Sequence, residues 1–130
     1  MRLRMELFVR DLDASIAFYT EILGFVVVRR DDLYVSIRRG HAVLGLGPIS
    51  GLPERGDGPA FTQDRLADDR GAGVEIVFEL DDIDALIELY GHCRARAAIA
   101  DELRAQPWGL QDFRLADPDG YYLRITHRDA

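Results

Sequence analysis

This sequence of 130 residues predicts an α+β fold built from two βαβββ repeats, and three observations predict it. Residues 9–19 can be laid over residues 80–90, with Asp11/Asp82, Asp13/Asp84, Ala14/Ala85, Ile16/Ile87 and Tyr19/Tyr90 coinciding. The segment before each copy alternates apolar and polar residues with the period of a half-buried strand. After each copy come three short strand-like segments separated by turn residues. The repeats define a first module at 1–49, a linker at 50–72 and a second module at 73–130, together forming one structural domain.

The first strand is read from Leu3, Met5, Leu7 and Val9, which alternate with Arg4, Glu6 and Phe8. A helix follows. Asp11 is placed as its N-cap and Asp13 in its first turn, where the positive end of the helix dipole favours a carboxylate. Leu12, Ile16, Tyr19 and Leu23 form its apolar stripe, and Gly24 ends it. Strands are then expected near 25–30, 33–38 and 41–46. Pro53, Pro59 and several glycines mark the linker, whose one aromatic residue is Phe61.

The second module repeats the scheme. Val74, Ile76, Phe78 and Leu80 alternate with Glu75, Val77 and Glu79, Asp82 caps a helix, and Ile83, Ile87 and Tyr90 form the stripe. Strands are expected near 98–103, 110–116 and 121–126, with Asp117-Pro118-Asp119-Gly120 as a turn. The apolar strand faces should cover the helices. The opposite faces of two curved sheets set side by side should leave a groove, expected to hold the functional site.

Composition limits what that site can bind. The chain carries 23 acidic and 16 basic residues, a net charge of -7, so a phosphate backbone or an anionic membrane surface would be repelled. No apolar run is long enough to cross a bilayer or to serve as a signal sequence, so a cytoplasmic location is expected. One cysteine and three histidines exclude a disulfide scaffold and a zinc finger. His41, His92, His127 and Cys93 are read as structural or exposed. No nucleophile–base constellation can be assembled, so no catalytic residue is assigned.

The repeat resembles the vicinal oxygen chelate superfamily, which includes glyoxalase I, extradiol dioxygenases, fosfomycin-resistance thiol transferases and bleomycin-resistance proteins. The residues carrying the resemblance are Val9-Arg10-Asp11-Leu12-Asp13-Ala14-Ser15-Ile16-Ala17-Phe18-Tyr19, Leu23-Gly24-Phe25 and Asp117-Pro118-Asp119-Gly120-Tyr121. Pro107-Trp108-Gly109 with Asp112-Phe113 resembles the closing hairpin of the bleomycin-resistance branch. Such a superfold hosts several chemistries as well as pure binders.

Metal-dependent members hold a divalent cation at four places. Transferred one by one, these fall on Arg4, Gly45, Glu75 and Arg124, of which only Glu75 could ligate. A divalent cation about 4 Å from one guanidinium would meet roughly 8 kcal/mol of repulsion at an effective dielectric near 20. No metal and no other cofactor is therefore expected. Arg4 and Arg124 could instead clamp Glu75, or one of them could stay free for an anionic or carbonyl group of a ligand.

The resemblance and the absence of ligands together point to a metal-independent binding protein that sequesters a planar, partly aromatic antibiotic or similar natural product. Trp108 is the candidate stacking wall; its other reading is a plug at the groove's end. Phe8, Phe113, Tyr34 and Tyr122 are further lining candidates, with Phe61 as a lid and Arg4, Glu6, Gly45, Glu75 and Arg124 on the groove face. The alternative is an enzyme of the same superfamily, either a metal-dependent lyase or dioxygenase or a metal-free isomerase using a groove Glu. Relatives commonly pair, so a homodimer with grooves shared between chains is expected, with a small molecule as the other partner.

Overall fold

The computed structural model describes residues 1–67 and 70–128. Positions 68 and 69 of the expected linker, and 129 and 130 of the second module, lie outside the described residues. The chain divides into two compact units, Met1–Arg70 and Gly71–Ala130. Each is a βαβββ unit with a mixed four-stranded sheet.

In the first unit the strands are β1 (Met5–Val9), β2 (Val26–Asp31), β3 (Tyr34–Arg39) and β4 (Ala42–Pro48), ordered β1-β4-β3-β2. β1 runs parallel to β4, placing Glu6 opposite Gly45 and Phe8 opposite Gly47. Helix α1 (Leu12–Ala17) starts where the Asp11 carboxylate accepts the Ala14 N–H at 3.0 Å. It widens into a π-helical turn over Phe18–Ile22, and Gly24 at φ 75° ends it. Arg39 then donates to the Leu23 carbonyl at 2.6 Å, satisfying a group that the helix end leaves open.

Alternation sorts the strand residues. Leu7, Val9, Val35, Ile37, Leu44 and Leu46 are buried with Phe18, Tyr19, Leu23 and Phe25 from the helical side. Glu6, Phe8, Tyr34, Ser36, Gly45 and Gly47 fall on the other, open face by the strand period and the register. β2 is an edge strand, exposed along its length, with a bulge between Val27 and Arg29.

Much of the expected linker is held together by its own hydrogen bonds. Gln63 donates its side-chain amide to the Leu52 carbonyl at 2.9 Å, and its backbone N–H reaches the Pro53 carbonyl. Thr62 is buried, and its hydroxyl donates to Asp64. That hydrogen bond holds the Asp64 carboxyl below its ordinary value. Backbone groups fixed by side-chain amides and hydroxyls leave a proline- and glycine-rich stretch little freedom.

The second unit repeats the plan with β5 (Glu75–Leu80), α2 (Ile83–Arg94), β6 (Asp101–Ala105), β7 (Gln111–Ala116) and β8 (Tyr122–His127), in the order β5-β8-β7-β6. The Asp82 carboxylate accepts the Ala85 N–H at 2.8 Å, the counterpart of Asp11. In the turn before β8, one Asp117 carboxylate oxygen accepts the N–H groups of Asp119 and Tyr121, both at 2.9 Å. That geometry is an aspartate-closed turn, as the composition of 117–120 predicts.

The helix face differs from expectation. Leu86, Leu89 and Cys93 are buried, whereas Ile87 is exposed. Both stripes are apolar, and packing against β5, β7 and β8 selects the one led by Leu86. Phe113 also departs from its expected place. It is fully buried with Leu115, Leu123 and Ile125, and its ring meets Tyr90 at 5.1 Å. It belongs to the core and lines no groove, because Phe113 opposes Ile125 across the β7–β8 ladder. No helix among the described residues is long and apolar enough to cross a membrane.

Candidate functional site

The open face of the first unit is organised by Glu6. Its carboxylate accepts the Tyr34 hydroxyl at 3.2 Å and meets Arg4 Nε at 3.0 Å. Gly45, across the ladder, lacks the side chain that would block this reach: a Cβ built there would stand 1.8 Å from Glu6 Oε2. Burial, and after it the charge of Glu6, raises the Tyr34 phenol above its ordinary value of 10.0. Arg29, from β2, lays its guanidinium 5.2 Å from the Tyr34 ring centre. Arg4, Glu6, Arg29 and Tyr34, with Val28 and Ser36, line a recess of about 420 Å³. Beside them Phe61, exposed, rests on Phe8 at 4.6 Å.

The open face of the second unit is a charge network. Arg114, opposite Arg124 on β8, contacts Glu75 (3.7 Å), Asp101 (3.3 Å) and Asp112 (3.2 Å). Arg124 Nε lies 2.8 Å from Glu75 Oε1, in ion-pair contact but outside hydrogen-bond geometry. Asp112 is 1% exposed; one of its oxygens takes the Gln106 side-chain amide at 2.7 Å, and the other has Arg124 Nη1 at 3.8 Å. A carboxylate this deep is tolerable only because cations surround it.

Trp108 stands over this network. It sits in the β6–β7 turn, which is closed by Gln106 N–H to the Leu110 carbonyl at 2.8 Å and Gly109 N–H to the Gln106 carbonyl at 3.0 Å. Gly109 takes φ 97°, which a side chain would resist. Gln106 anchors the turn to Asp112, so the indole rides on a fixed support. Trp108 is 57% exposed, and the Arg124 guanidinium lies 5.9 Å from its ring centre. Tyr122 and Val77, on the same face, are also exposed.

Sequence reasoning placed Arg4, Glu6, Tyr34, Gly45, Glu75, Trp108, Tyr122 and Arg124 along one groove, with Arg4 and Arg124 clamping Glu75. The structure puts Arg4, Glu6, Tyr34 and Gly45 on the open face of the first unit and Glu75, Trp108, Tyr122 and Arg124 on that of the second, and gives Arg4 to Glu6 instead. Sequence reasoning did not find Arg29, Asp112 or Arg114. Arg4 is paired to Glu6 and Glu75 to Arg124, each within its own sheet. His127 is structural: Nε2 accepts the Gln111 N–H at 3.2 Å while Nδ1 faces the Arg128 carbonyl.

A duplicated βαβββ unit with strands in this order defines the vicinal oxygen chelate class. The chain belongs to the glyoxalase/bleomycin resistance protein/dioxygenase superfamily, whose family model matches residues 3–125. Among solved structures it is similar to a lactoylglutathione lyase from Agrobacterium tumefaciens, at 22% identity and TM-score 0.75 over 98% of this chain and 92% of that one. It is similar to TioX from Micromonospora sp. ML1, at 18% identity and TM-score 0.74 over 98% of each. A bleomycin-binding protein complexed with bleomycin matches at 27% identity and TM-score 0.65 over 99% of each. No curated protein sequence matches the chain.

The metal that many superfamily members carry does not fit these residues. The resemblance transfers those positions, in the first unit, to Arg4 and Gly45, a fixed cation and no side chain. In the second they are Glu75 and Arg124, which contact each other. Among the described residues no group of three His, Cys, Asp or Glu is placed to hold an ion. The donor set opposes a dication rather than binding it.

Proposed function

We propose that this protein binds, without chemical conversion, a planar and partly aromatic small molecule such as an antibiotic, and acts by sequestering it. The observation that carries this reading is Trp108: an indole left 57% exposed on an anchored turn, with its neighbouring cation already committed to the protein. An exposed tryptophan on a rigid support loses little entropy when a flat ring settles on it. Covering on the order of 100 Å² of apolar surface would contribute about 2.5 kcal/mol, and Tyr122 and Val77 extend the same surface. The similarity to a bleomycin-binding protein supports the reading.

The enzyme alternative has less to work with. A proton-shuttling carboxylate must be able to take up a proton. Glu6 is engaged by Arg4 and Tyr34, and Glu75 by Arg124 and Arg114. Both carboxylates are taken up by ion pairs within their own sheet, which suits structure better than proton transfer. A homodimer belongs to the same proposal, and light scattering at micromolar concentration should give twice the chain mass of 14.7 kDa.

The test is a titration with bleomycin and with a fused aromatic such as daunorubicin, followed by Trp108 emission and by calorimetry. Saturable quenching with micromolar or tighter affinity, lost in Trp108→Ala and with the compound recovered unaltered, is the expected result. A chemically altered product, or heat without any change in the single tryptophan's emission, would overturn the reading.

A further inference from the structure

We infer that the recess on the open face of the first unit takes the carboxylate of a monoanionic small molecule, with Arg29 as its counter-ion and the Ser36 hydroxyl as a second donor. The inference rests on the open sheet faces being ligand surfaces, and it assigns a charge to what enters this one.

The argument begins with an imbalance. The recess is lined by Arg4, Glu6, Val28, Arg29, Tyr34 and Ser36. Glu6 is matched by Arg4. Among the described residues Arg29 has no carboxylate partner: its contact is the face of the Tyr34 ring, 5.2 Å away. Two arginines against one acid leave the recess with one positive charge in a chain whose net charge is -7. One surplus charge matches a monoanion and leaves a phosphate dianion half compensated.

The surrounding groups are arranged as donors. The Tyr34 hydroxyl is turned to Glu6, which fixes the ring on which Arg29 lies. A guanidinium laid on an aromatic face keeps its N–H edge in plane and available, the geometry that a planar carboxylate meets with two parallel hydrogen bonds. Ser36 opposes Arg29 across the β2–β3 ladder, so its hydroxyl and that guanidinium fall on one face. Val28 adds an apolar wall on the edge strand. A volume of about 420 Å³ admits a one- or two-ring acid.

The experiment is an amide-resolved NMR titration of the full chain with naphthalene-2-carboxylate and, separately, its neutral carboxamide. The acid should give saturable shifts at Val28, Arg29 and Ser36, with affinity about fivefold above the amide, the scale of one exposed charge pair. Arg29→Gln, on an exposed edge strand, should fold normally and lose that preference. Equal affinity of acid and amide, an unchanged preference in Arg29→Gln, shifts confined to other residues, or no shifts would each overturn the inference. Acid-specific shifts in the recess would uphold the inference even where bleomycin and daunorubicin leave Trp108 emission unmoved, the outcome that removes the stacking reading of the second unit.

Discussion

The carboxylate of Glu6 lies across the backbone of Gly45, where a Cβ would stand 1.8 Å from Oε2 and 2.5 Å from the Tyr34 hydroxyl. Both intruding groups are tips of flexible side chains, so Gly45→Ala should cost stability little, within about 1 kcal/mol. It should instead displace Glu6 and break its bond to Tyr34. Thermal melts should be nearly unchanged while the Tyr34 and Arg29 resonances shift. A large loss of stability with an intact Glu6–Tyr34 contact would contradict this account.

Tyr34 supplies a pH signature. Burial first, and then the Glu6 charge, lift its phenol above the usual 10.0. A group whose folded value is raised contributes stability fully below its unfolded value and loses that contribution as pH climbs through the folded one. Stability should therefore fall above pH 10, with Tyr34 ionising late by absorbance at 295 nm. Tyr34→Phe should reduce the late absorbance change by one tyrosine. Glu6→Gln should lower the Tyr34 value, since the nearby negative charge is gone.

Arg114 and Arg124 both touch Glu75, yet their removal should differ. Arg114 is 14% exposed by side chain and is the nearest cation to the buried Asp112. Arg114→Met should cost about 3 kcal/mol by stranding that carboxylate. Arg124, more exposed and 3.8 Å from Asp112, should cost about 1 kcal/mol, with a change in Trp108 emission as its distinguishing effect. Adding Asp112→Asn to Arg114→Met should recover part of the loss in urea melts. Additive losses would mean that the charge network is not what stabilises this face.

Chelation gives a further check. Because the family resemblance transfers two of the metal positions to Arg4 and Arg124, dialysis against EDTA should leave the melting temperature and ligand affinity unchanged. Elemental analysis of protein purified without chelator should find no stoichiometric zinc, nickel, manganese or iron.

How far the sequence disclosed this molecule can be read from single positions. Asp11 and Asp82 announce their helices because capping is local chemistry: each carboxylate bonds an N–H three residues on. Strand alternation likewise marks Leu7 and Val9 as core. Asp112 and Phe113 mislead for a different reason. A fully buried aspartate breaks the polar-outside rule, and the side of the sheet on which Phe113 falls depends on its pairing with Ile125, a partner 12 residues away. Ile87 lost its place to Leu86 because α2 offers two apolar stripes, and only the sheet beneath it chooses. Arg114 and Arg29 were hidden because their roles come from strand register, which fixes who faces Glu75 and who faces Tyr34.

Gly71 offers the sharpest test of packing in the second unit. It takes φ 75°, and a Cβ there would stand 2.5 Å from Cδ1 of Tyr121, a buried ring with little room to yield. Gly73 takes nearly the same backbone, φ 82°, but a Cβ there would meet nothing within 4 Å. Alanine at Gly73 therefore carries only the left-handed backbone cost, about 1 kcal/mol. Alanine at Gly71 carries that cost plus the collision with Tyr121, about 1–3 kcal/mol more for a rigid overpacked contact. Urea melts of the two variants should differ by that margin, and Tyr121→Leu should narrow it by removing the ring edge. If the two alanines cost the same, backbone conformation alone governs this turn, and the Tyr121 ring has room to move.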